Sequence, residues 1–315
     1  MKSFAVLAAL VSVVSAAPPR DRVARSPSLL VYSGPDVKYA RSNDDKFTPP
    51  KGGVNPPKPV YTVKSPFDYE SIPCKYTYPF NTVLEFVDFC QKLTRWGESG
   101  VYGFLPHLDS RPSAQILLQS ITTEARQQMI FRQFEGLFPM AVWFETGITQ
   151  SMAWTLLAPY LEECPKENHR IQWRNYPALN ITNNPSGIDP DYKPAVTHNR
   201  PLLTHPGREV KFTWEDPGKK VGPKNFDYVT ATAVKGKYAA WVSQYNVTYT
   251  PLENVDGNSG STKQPGTLVY PDLGDPQVND TTFIAIVDDN VYLTPANLSL
   301  IDNHIVAGPA IYQAY

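Results

Sequence analysis

Two glutamates and a glutamine stand where chemistry could occur. Glu124 lies three residues after Ile121 and seven after Leu117, so it shares their helix face and points inward. Glu98 lies four residues after Thr94 and three before Val101, on or beside the apolar stripe of the preceding helix. Two carboxylates therefore face one helical interface. A bare buried carboxylate is costly, so each needs a metal, an arginine or a shared proton. Gln127 follows Glu124 at the spacing of Glu-x-x-His, the motif that carboxylate-bridged metal bundles use. Its neutral amide is a poorer ligand for a transition metal than imidazole. Arg95, Arg126 and Arg132 are close in sequence, and the residues favour internal ion pairing over metal. Iron or manganese on Glu98, Glu124 and Gln127 is the alternative.

These side chains must be positioned by helices. Apolar residues recur in steps of three and four at Val83, Val87, Cys90, Leu93, Val101 and Phe104, which predicts a first helix capped by Asn81. Pro112 opens a second helix, with Leu117, Ile121, Glu124, Gln128 and Phe131 on one stripe, ended by Gly136 and Pro139. A third is expected from Thr149 to Glu163, bent at Pro159. Residues 165–207 read as an irregular connector. Beyond them the period becomes two: "EVKFTW" alternates, "AAWVSQYNVTYT" puts Trp241, Tyr245, Val247 and Tyr249 on one strand face, and "TTFIAIVDD" suits a buried strand. The fold class is α+β: a helical segment over 74–164, then an antiparallel β-sandwich-like domain over 208–315.

The first seventeen residues have a lysine, a short apolar stretch and small residues near Ala16 and Ala17, as a secretory signal does. Residues 18–73 form a Pro-rich arm expected to be largely disordered; nine prolines fall in 26–73. The reading is a secreted protein, free or associated with the cell wall. A net charge of −1 suggests neither nucleic acid nor an anionic membrane as partner, and no later stretch is apolar enough to span a bilayer. An oxidising compartment permits disulfides. Of Cys74, Cys90 and Cys164, the two at element ends favour a Cys74–Cys164 pair, with Cys90 a buried thiol. Asn180, Asn246, Asn279 and Asn297 each begin an Asn-x-Ser/Thr sequon. Nucleophile elbows, phosphate loops, Cys-x-x-Cys and His-Glu-x-x-His motifs are absent from the sequence.

From Cys74 onward the residues carry a resemblance. "CKYTYPFNTVLEFVDFCQKLTRWGESGVYGFLPHLDSRPSAQILLQSITTEARQQMIFRQF" is similar to the Rds family of fungal secreted stress-response proteins, within the ferritin-like superfamily. "VKFTWEDPGKKVGP" and "NLSLIDNHIVAGPAIYQ" resemble that family's C-terminal part. The resemblance implies that "ESGVYG" places Glu98 on a third bundle helix, and that "EARQ" places Glu124 and Gln127 in the glutamate and histidine roles of a fourth. The first two bundle helices would fall upstream, where the Pro-rich segment has no such pattern, so the bundle is expected to be partial and degenerate. The residues are read as those of a non-catalytic, glycosylated secreted protein without a cofactor, and the resemblance alone adds the stress association. The alternatives are a metal-binding oxidase, peroxidase or iron store acting through Glu98 and Glu124, and a wall-carbohydrate binder acting through the β domain. An exposed helical face would suit a homodimer or a protein partner.

Overall fold

The computed structural model describes residues 74–314 apart from 109–110, 138, 140–141, 143, 169, 186–203, 232–234, 245 and 267–279. Residues 1–73, read above as a signal and a Pro-rich arm, and Tyr245 and Asn279 lie outside the described residues.

The chain enters through β1 (Lys75–Tyr76) into α1 (Val83–Phe104). Asn81 is not the cap. Thr82 is: its Oγ1 accepts from the Glu85 backbone N–H, and Glu85 reaches back to the Thr82 N–H at 3.0 Å, a reciprocal capping box. Helix α2 (Arg111–Phe134) follows and packs against α1. Gly136, at φ 71, takes the left-handed conformation that ends it. Helix α3 (Gln150–Leu157) is shorter than expected. Pro159 does not bend it but stops it, in a 3-10 turn over Ala158–Tyr160, and strand β2 (Leu161–Glu163) pairs back onto β1. Cys74, just before β1, is disulfide-bonded to Cys164, just after β2, and Cys90 is a buried free thiol.

Two four-stranded antiparallel sheets follow. The first runs β3 (Leu179–Ile181), β4 (Glu209–Trp214), β10 (Ser259–Lys263), β9 (Glu253–Asp256) in spatial order; β3 lies in the stretch read as connector. The second runs β12 (Ile305–Ala314), β11 (Asp280–Val287), β7 (Tyr238–Ser243), β8 (Asn246–Pro251). A short pair, β5 (Lys220–Val221) and β6 (Tyr228–Val229), lies apart. "AAWVSQYNVTYT" is thus a hairpin rather than one strand, turned at Gln244 with φ 31. The turn reassigns its faces. Trp241 pairs with Thr248 and donates to Thr250 Oγ1 at 2.8 Å, whereas Val247 and Tyr249 face the other way with Val242 and Ala240.

Burial explains the patterns. Val210 and Phe212 of β4 meet Trp241, Ile284, Ile286 and Tyr312 of the second sheet in one apolar cluster. The opposite face of that sheet, through Val242, Phe283 and Ile305, packs with Phe89, Leu93 and Trp96 of α1 and Met152 and Leu157 of α3. Strand β11 is therefore covered on both faces, which is why its sequence is continuously apolar. Helices and sheets share a core.

One close approach fixes the helical layer. A Cβ on Gly103 would meet the carbonyl oxygen of Ile148 at 1.8 Å, so only glycine fits there. The Ile148 N–H donates to the Ser99 carbonyl at 2.9 Å. This lashes the segment before α3 to α1 and brings Glu145 to the helix interface.

Candidate functional site

Helix α1 is sealed on nearly every side from Phe89 to Val101, polar residues included. Helix α2 buries a single stripe, Ile121, Glu124, Gln128 and Arg132. Between them lies a buried polar cluster centred on Arg95, whose side chain is 3% exposed. Its Nη1 meets Glu98 Oε2 at 3.2 Å and also pairs with Glu145 Oε2. Its Nη2 donates to Gln128 Oε1 at 3.1 Å. One planar guanidinium thus bridges two carboxylates and an amide, using the fork geometry that a lysine lacks.

The cluster continues toward the end of α2. Gln91 donates to Glu135 Oε2 at 3.0 Å and accepts from Gln313 Nε2 at 2.7 Å, tying the last residues of β12 to both helices. Arg132 is fully buried. Tyr102, one turn beyond Glu98, sits at the cluster's edge. Burial first, then the negative charges of Glu145, Glu98 and Glu124, push its phenol well above the ordinary range, against the opposing pull of Arg95.

The predicted residues divide. Glu98 is fully buried and is paired by Arg95, as the ion-pair reading of the sequence proposed. Glu124 is buried, and burial lifts its carboxyl to about 7 although Ser120 hydrogen-bonds to it. Gln127 is exposed on the outer face of α2; its neighbour Gln128 turns inward. Arg126 is exposed. Glu145 and Tyr102 were missed. Glu145 lies in a loop with no periodicity to expose it, and Tyr102 had only its four-residue spacing from Glu98 as a signal.

These residues do not fit an iron or manganese centre. The cation facing Glu98 is Arg95, Gln127 points away, and Glu124 has a raised affinity for a proton. Among the described residues no group of three or more His, Cys, Asp or Glu side chains is placed to hold a metal ion. Cys90 offers no nucleophile either, since burial pushes its thiol up to about 11. Among the described residues no helix is long and apolar enough to cross a membrane.

Two raised carboxyls set a pH dependence. Glu124 and Glu135 are both lifted from 4.5 to about 7, chiefly by burial. A carboxyl whose folded pKa is raised binds its proton more tightly in the folded state. Its contribution is complete below 4.5 and is lost as pH rises to about 7. At about 1.4 kcal/mol per pKa unit, the loss across that window is of order 3 kcal/mol for each group. Glu85 and Glu163 are shifted downward by hydrogen bonds and Lys75, so they titrate below this window and do not offset it. Urea unfolding should give a lower midpoint at about pH 8 than at about pH 5, with the difference reduced in Glu124→Gln. A midpoint that rises over this range would contradict the burial of these groups.

No family model matches the chain. The chain is similar to Protein rds1 of Schizosaccharomyces pombe, with 50% identity over 256 residues, covering 76% of this chain and 63% of that relative. It spans less than two thirds of the relative's length, and the likeness supports the reading of an Rds-type protein.

Proposed function

We propose that the chain is a secreted, glycosylated, stress-response-associated protein of Rds type that acts through its surfaces rather than by catalysis. In this reading α1 and α2 are a degenerate ferritin-like half-bundle, and the two sheets joined by their shared apolar cluster form a β-sandwich. The observation that carries it is Arg95. Its guanidinium lies between Glu98, Glu145 and Gln128, so the positive charge at the carboxylates comes from the chain itself. The Cys74–Cys164 disulfide suits an oxidising compartment. Asn180 is exposed on β3 and open to modification, and Asn246, half-buried, begins β8. Asn297 is already engaged, donating to the Tyr292 carbonyl and accepting from Thr294. The oxidase alternative is tested by supplying ferrous iron in air to the secreted protein. Oxidation should run no faster than in buffer, and an accelerated rate abolished by Glu124→Ala would overturn the reading.

The exposed side of α2 supports self-association. Ile116, Leu118, Met129, Ile130 and Phe134 are all exposed, with Phe134 at 66%. Along the same helix the exposed charges are Arg111 and Arg126 alone, which gives an oppositely charged partner little to grip. A second copy offering the same neutral face is the occupant that fits, as an isologous two-fold contact. Light scattering should show a dimer, and Phe134→Glu with Ile130→Glu should give a folded monomer. A wild-type monomer at every concentration would refute the contact.

A further inference from the structure

Helix α2 is docked the wrong way round for an apolar core. Its sealed stripe is Ile121, Glu124, Gln128 and Arg132, one aliphatic side chain among three polar ones. Ile130 and Phe134 are exposed instead. Neither apolar cluster includes a residue of α2, whereas α1 contributes Phe89, Leu93 and Trp96, and α3 contributes Met152, Trp154 and Leu157. Apolar burial is the main cost of detaching an element, and α2 has little of it. Polar contacts hold it to α1: Arg95 to Gln128, and Gln91 to Glu135 just past its end.

The flanking segments are anchored without it. Gly103 is pressed on Ile148, the Ile148 N–H is held by the Ser99 carbonyl, and Glu145 is paired with Arg95. All these contacts lie outside Arg111–Phe134, so they can stay closed while α2 leaves. Ser120, Thr122 and Thr123 stand in mid-helix, where short polar side chains weaken an isolated helix. Once off α1, α2 does not keep its backbone hydrogen bonds.

Two carboxyls couple this docking to protons. Glu124 lies in the interface and Glu135 at its end, both lifted to about 7, chiefly by burial. Tyr102 feels the charges of Glu145, Glu98, Arg95 and Glu124, which places these groups together. Asp88 and Lys92 of α1 face Glu135, the first favouring its proton and the second opposing it. Undocking returns both carboxyls to water, where they ionise near 4.5, so rising pH favours the open form.

We propose that α2 is a proton-gated cover: it lifts from α1 as one unit while α1, α3 and the sheets stay folded, and it lifts more readily as the pH rises. Lifting opens the Arg95–Glu98 pair to water. The cover rests on neither the secretion nor the self-association reading.

Native-state amide exchange tests it, on the wild type, Glu124→Gln, and Glu124→Gln with Glu135→Gln, at low urea concentrations. At about pH 8 the α2 amides should exchange through an opening that urea promotes less than global unfolding, and well before those of β11 and of α1 from Phe89 to Val101. After correction for intrinsic exchange rates, the α2 opening constant should rise on the order of 50-fold per carboxyl between about pH 5 and about pH 8. Glu124→Gln should remove one such factor, and the double variant should be flat. Exchange of α2 at about pH 8 only together with β11, at the same urea dependence, overturns the proposal. So does an α2 opening constant that does not move with pH.

Discussion

Arg95→Ala should be among the most destabilising single substitutions in this protein. It would leave Glu98 fully buried with its arginine gone, and would take the cation from Glu145 and the donor from Gln128. Removing one partner of a buried pair costs about 3–5 kcal/mol, because the other charge is left uncompensated. That is a large share of the about 5–15 kcal/mol by which domains are stable. Arg95→Lys should recover part of the loss, since one ammonium cannot span all three acceptors. The diagnostic variant is Arg95→Met with Glu98→Gln, which removes both charges and should be far more stable than Arg95→Met alone. Urea midpoints followed by tryptophan emission, Trp96 being adjacent, would measure the wild type and all four variants. Equal stability of Arg95→Ala and wild type would mean that the guanidinium does not hold the cluster.

Replacing Cys74 and Cys164 together by serine should cost a comparable amount by another route. The bridge closes a loop with a sequence separation of 90 that contains the three α-helices of the described residues. Chain entropy assigns a loop of this size about 4–5 kcal/mol, and natural bridges typically contribute about 2–5. Both cysteines must change, because a lone Cys164 could pair with Cys90 in the unfolded chain. The melting temperature should fall on the order of 10 °C. In the wild type, thiol titration should find one reactive group, and only after denaturation, since Cys90 is buried. A melting temperature that does not move would show that β1 and β2 are held without the bridge.

What the sequence revealed follows periodicity. Strand β4 alternated because its inner face meets Trp241 and Tyr312, and β11 was solidly apolar because both its faces are covered. The stripe through Ile121, Glu124 and Gln128 was legible because α2 buries little else. Other features left no periodic trace. Val83 fits the α1 pattern but is 79% exposed, because the first turn projects beyond the core. The hairpin at Gln244 was hidden because its turn carries neither Gly nor Asn at Gln244 and Tyr245, the usual signs of a two-residue loop. The Glu-x-x-His spacing pointed to Gln127, but helix geometry placed Gln128, four residues after Glu124, inside. Glu145 could not be found because its position depends on the contact between Gly103 and Ile148, and nothing local to Glu145 records that contact.

The central claim is that a guanidinium supplies the cation at these carboxylates. The most direct test is the metal content of the purified full-length protein, prepared without chelator, beside Glu124→Ala. The account predicts substoichiometric iron and manganese in both, with no difference between them. One iron or manganese ion per chain in the wild type, lost in Glu124→Ala, would contradict it and make Glu124 a working ligand.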